Sequence, residues 1–108
     1  SEASVMMGME WVMDLWNSRA TKLPNDIRAM TANMSLGGPG NADSSLSRLA
    51  DKMVLADIDM NLAAGNSGGK SGDGQIGQPA SSRESSTVGA MNYDKTTASF
   101  SSWGPARG

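Results

Sequence analysis

The 108-residue chain contains no cysteine and no histidine, and a single tyrosine and phenylalanine. Without cysteine there are no disulfides, thiol nucleophiles or thiolate metal ligands. Without histidine there is no imidazole-ligated zinc and no Ser-His-Asp triad. Charge of either sign is also sparse. Nine Lys and Arg face eleven Asp and Glu, a formal net charge of −2, and like charges do not cluster. That excludes the basic surplus on which phosphate-neutralising nucleic-acid binders depend. No apolar run approaches the ~20 residues of a membrane-spanning helix. Ser1-Glu2 lacks the basic and apolar regions of a secretory signal. A chain beginning at Ser is what removal of an initiator Met leaves, a processed fragment being the alternative. The expectation is synthesis in the cytoplasm without a signal peptide.

What the chain has in quantity is Gly, Ser and Pro, 33 residues together, and nine methionines. The small residues are unevenly placed: twenty follow Ala64, whereas eight of the methionines precede Asn61. The first part therefore reads as helical. Val5, Met6, Met9, Val12, Met13 and Trp16 recur at three- and four-residue spacing and predict a helix over about 4–19, capped by Ser4 or Ser1. Pro24 at a first helical position, the stripe Ile27, Met30 and Met34, and the stop at Gly37 and Pro39 predict a second helix over about 24–36. Leu46, Leu49, Ala50, Met53, Ala56, Met60 and Ala63 predict a third over about 44–64. Residues 37–43 would be a hinge.

From Gly65 onward the large apolar side chains are Ile76, Val88, Met91, Tyr93, Phe100 and Trp103. Their burial does not offset the entropy of ordering 44 residues, so residues 65–108 are expected to be an extended, irregular tail. The resulting fold class is mainly α, with two to three short Met-rich helices, no large independent core, and two regions at 1–64 and 65–108.

Several patterns resemble chemical motifs. Ala64-Gly65-Asn66-Ser67-Gly68-Gly69-Lys70-Ser71 meets a relaxed phosphate-loop pattern, but such a loop joins a strand to a helix. Here a helix is expected before it and Gly72-Asp73-Gly74 follows, so a flexible linker is the better reading. Asp57-Ile58-Asp59-Met60-Asn61 opens like a calcium loop, yet Leu62 and Gly68 stand where Gly and a bidentate Glu belong. Glu10 and Asp14 share an exposed helix face without an implied cleft. No catalytic, cofactor-binding or metal-ligating residue is assigned, and no small-molecule substrate or cofactor is expected.

Methionine is flexible and polarizable, suited both to filling cores and to surfaces that conform to a partner. Expected partner-binding residues are Met6, Met9, Trp11, Met13, Trp16, Met30, Met34, Met53 and Met60 on the helices. Tyr93, Phe100 and Trp103 would anchor the tail. The functional expectation is a non-enzymatic structural subunit docking, in many copies, onto protein subunits of a larger assembly. In general style this combination resembles minor virion proteins of bacteriophages, such as internal, tail or ejection components, which implies a final location within a multi-protein particle such as a virion. Alternatives are a small regulatory binder that folds on its partner, or a membrane-interacting amphipathic chain. Glu10 and Asp14 on the polar face of the first helix disfavour the latter.

Overall fold

The computed structural model describes residues 1–68 and 74–106. Elements follow in the order α1 (Glu2–Asn17), α2 (Arg19–Lys22), β1 (Met30–Met34), α3 (Ser45–Leu55), β2 (Ile58–Ala63) and β3 (Ser86–Val88). The strands form one parallel sheet in the order β1-β2-β3. This α/β architecture corrects the expected mainly helical fold with an irregular tail.

Helix α1 starts at Ser1, whose Oγ accepts the Ser4 N–H at 3.2 Å. It turns Met9 and Trp16 fully inward, with Val5, Met6, Val12 and Met13 at the margin of the core. The indole N–H of Trp16 donates to the Ala56 carbonyl at 2.9 Å, tying α1 to the end of α3. Arg19 lies over the Trp16 ring, 4.2 Å from its centroid.

Where a second helix was expected, Pro24 to Ala29 is irregular and β1 follows. Met30, Ala32 and Met34 point towards the core while Thr31 and Asn33 are exposed, the alternation of a half-buried strand. The expected third helix ends early. After Leu55 the chain turns at Ala56-Asp57, with Asp57 at φ 68°, and continues as β2. Asp accepts this left-handed conformation more readily than most residues. Ile58, Met60 and Leu62 are then buried while Asp59 is exposed and Asn61 half-buried. In register, Met30 pairs with Ile58, Ala32 with Met60 and Met34 with Leu62. Together with Leu46, Leu49, Ala50 and Met53 of α3, these side chains form one cluster under α1.

Residues 74–106 pack back onto this unit. Ser86–Val88 adds the third strand, Ala64 N–H donates to the Val88 carbonyl at 2.9 Å, and Ala80 enters the core. Gly and Ser serve close packing here. A Cβ on Gly77 would overlap the Gly38 carbonyl oxygen, and Ser81, Ser82, Ser101 and Ser102 are all buried. The order comes from hydrogen bonds and backbone proximity, which a count of large side chains does not register.

Candidate functional site

Two strands of a parallel sheet deliver adjacent loops at their carboxyl ends, the customary place for a ligand in an α/β fold. Here the segments after β1 and β2 form two walls of a cleft of about 620 Å³, and 74–78 forms a third, with Ala80 and Ser102 completing the lining.

The first wall is Ser35-Leu36-Gly37-Gly38. Ser35, Leu36 and Gly37 are exposed beyond the end of β1, and Gly38 then pairs with Gln78 through reciprocal backbone hydrogen bonds of 3.0 Å. The Gln78 side chain fixes the same corner, accepting the Leu46 N–H at 3.2 Å and donating to the Pro39 carbonyl at 3.0 Å. It thereby satisfies a free N–H of the first turn of α3.

The second wall is Ala63 to Ser67. Gly65 takes φ 103°, turning the chain so that exposed Asn66 stands at the rim. Among the described residues the Asn66 side-chain amide has no hydrogen-bond partner. The amides of Gln78 and Gln75, by contrast, are both engaged, the Gln75 Oε1 accepting the Trp103 N–H at 2.8 Å. Among the described residues, none that lines the cleft is charged. The cleft thus combines small neutral walls, exposed peptide groups along one side and an unspent amide donor on the other.

None of this was legible as a site: Gly37 to Asn41 reads as a hinge and Asn66 as part of a linker. The usable signal was two alternating apolar-polar strand segments, each followed by small, glycine-rich sequence. Lys70 and Ser71 of the phosphate-loop pattern lie outside the described residues. Its described part follows a strand, where a helix was expected. Asp57 sits in the turn before β2 and Asp59 on the strand, and among the described residues no cluster suited to a metal ion occurs.

The expected partner-binding residues do not form one exposed surface. Met9, Trp16, Met53 and Met60 lie in the core, and Met6, Met13, Met30 and Met34 pack against it. Trp11, Tyr93, Phe100 and Trp103 are exposed. Among these twelve, none lines the cleft.

The profile of the Subtilase family matches residues 1–107. Subtilisin DY of Bacillus licheniformis is 36% identical over 102 residues, covering 94% of this chain and 32% of the relative. Subtilisin-like protease 6 of Arthroderma gypseum is 36% identical over 104 residues, covering 96% and 24% respectively. Subtilisin amylosacchariticus of Bacillus subtilis subsp. amylosacchariticus is 42% identical over 72 residues, 67% of this chain and 19% of that protein. The chain therefore spans about a quarter to a third of the length of the first two relatives. These matches, to subtilisins and a subtilisin-like protease, overturn the expected non-enzymatic virion subunit, and with it the expected docking in many copies onto a larger assembly. By the match along nearly its whole length, the chain belongs to the subtilase family.

Proposed function

We propose that these residues form the substrate cleft and one oxyanion-stabilising group of a subtilisin-like serine protease. A Ser-His-Asp triad requires a histidine, and these 108 residues contain none. The base therefore comes from residues outside them, in keeping with the greater length of the relatives.

The observation that carries this reading is Asn66. Attack on a peptide carbonyl moves negative charge onto its oxygen, and a fixed donor stabilises that charge more than it stabilises the ground-state carbonyl. An amide N–H on a turn at the cleft rim, without a partner among the described residues, is suited to that task. The exposed Ser35-Leu36-Gly37 segment supports the other half of the reading. An extended peptide gains main-chain hydrogen bonds by lying along such an edge, while a side chain enters the adjoining cleft. The described walls, neutral and built largely from small residues, favour a bulky uncharged side chain over a charged one, which would lose hydration without gaining a counter-ion among them.

The test is steady-state hydrolysis of peptide amides by the full-length protease. Asn66→Gly is expected to lower kcat by roughly 10²–10³-fold with KM nearly unchanged, the pattern for loss of one oxyanion donor. An unchanged kcat rejects the assignment.

A further inference from the structure

If Asn66 acts by donating to a developing charge, something must hold its turn still, because misplacement by about an ångström erodes catalysis. The turn's own sequence, Gly65-Asn66-Ser67-Gly68, is permissive. Its constraint comes from Phe100 to Ser102. Gly68 N–H donates to the Phe100 carbonyl at 3.0 Å. Ser102 makes two further bonds: its N–H donates to the Gly65 carbonyl at 3.0 Å, and its Oγ accepts the Ser67 N–H at 2.9 Å. One residue thus grips the chain immediately before and immediately after Asn66. Ser102 is itself only 8% exposed and borders the cleft.

We propose that Ser102 is the positioning residue for Asn66, its hydroxyl fixing the direction in which the Asn66 amide faces the substrate carbonyl. This rests on the oxyanion reading of Asn66. A serine is suited to the place for two reasons. Its hydroxyl oxygen supplies the acceptor that the Ser67 N–H requires, and its short side chain fits beside the left-handed Gly65, where an added Cβ would stand 3.0 Å from Ser102 Oγ. Alanine keeps the bond to Gly65 and loses the one to Ser67. Threonine retains the N–H and the hydroxyl that make both.

The inference is tested in the full-length protease by a double-mutant cycle. Ser102→Ala is expected to lower kcat about tenfold while KM changes less than twofold, and Ser102→Thr is expected to restore most of the rate. In an Asn66→Gly background, Ser102→Ala is expected to have little further effect, because its route to the substrate is already gone. A Ser102→Ala effect of equal size in both backgrounds, or none in the wild type, overturns the inference. If Asn66→Gly itself leaves kcat unchanged, the oxyanion reading fails and the inference falls with it. A slow kcat for Asn66→Gly beside an unaffected Ser102→Ala removes the Ser102 role alone. Should Ser102→Ala not fold, hydrogen exchange in the wild-type protein decides: the Ser67 amide is expected to be strongly protected, and exchange at the free-peptide rate overturns the clamp.

Discussion

At the scale of single residues, the buried polar groups differ in how well they are satisfied. Ser82 Oγ donates to Asp51 Oδ1, which also accepts the Glu84 N–H at 3.0 Å, and Ser81 Oγ donates to the Ile76 carbonyl at 2.8 Å. Ser47, fully buried on α3, is different: its Oγ is the buried side-chain polar atom without a partner among the described residues. Burying a hydroxyl without a hydrogen bond costs about 1–3 kcal/mol, and alanine is also the better helix former. Ser47→Ala is therefore expected to raise stability by roughly 1 kcal/mol in urea titrations, and a destabilised variant would contradict the burial of an orphaned hydroxyl. On the surface, Asp94 accepts hydrogen bonds from the Thr96 hydroxyl at 2.6 Å and the Thr96 N–H at 3.1 Å. The side-chain bond first, then the backbone bond, holds its carboxyl below the ordinary value of 3.8. The sign follows from the depressed value in the fold. The loop's gain from ionised Asp94 is complete above 3.8 and disappears as pH falls through the lower folded value. A carboxyl titration followed by NMR is expected to place Asp94 below 3.8, and Thr96→Val to move it back towards that value.

Among the elements, the informative comparison is between α3 and β2, which the sequence presents as one long apolar helix. Four-residue spacing is nearly a full helical turn and is also an even number, so Met30 and Met34 keep one face under either period. What separates the two is Ala32 between them, and Met60 between Ile58 and Leu62: each marks a two-residue repeat. The helical reading of α1 had no such rival, because Val5, Met9, Val12 and Trp16 cannot share one face of a strand. Strand β3 carried almost no signal, since Ser86, Thr87 and Val88 are all exposed and its place depends on the edge offered by β2. The junction at Asp57 is where the distinction becomes physical. With φ at 68°, this position tolerates Asp and favours Gly, but a β-branched side chain there clashes with its own backbone. Asp57→Val is expected to destabilise the fold by about 1–2 kcal/mol, whereas Asp57→Gly should be neutral or slightly stabilising. If a continuous helix crossed residue 57, the order would reverse, because glycine is the poorer residue inside a helix.

For the whole molecule, the question is whether residues 1–64 are a unit to which the remainder is attached. Their core is closed from outside: Ala80 belongs to the buried cluster and Ile76 packs against it. The first turn of α3 borrows its cap from Gln78, and the free edge of β2 is covered by Ser86–Val88. Neither Gly/Ser content nor the scarcity of large side chains after Gly65 reveals this, because the contacts join residues 32 to 35 positions apart, as between Leu46 and Gln78 or Ser67 and Ser102. A flexible tail would be dispensable; a segment that supplies the third strand and part of the core would not. Residues 1–64 prepared alone are accordingly expected to lose the cooperative melting transition of the full 108-residue chain and to show weak circular-dichroism signal for α3, which would have neither its cap nor its sheet completed. Restoring residues 65–106 as a separate peptide should recover part of that signal in proportion to the peptide added. A fragment of 64 residues that melts as sharply, and at the same temperature, as the full chain would mean that the later segment merely rests on a finished domain, and the cleft it helps to wall would then be a secondary attachment.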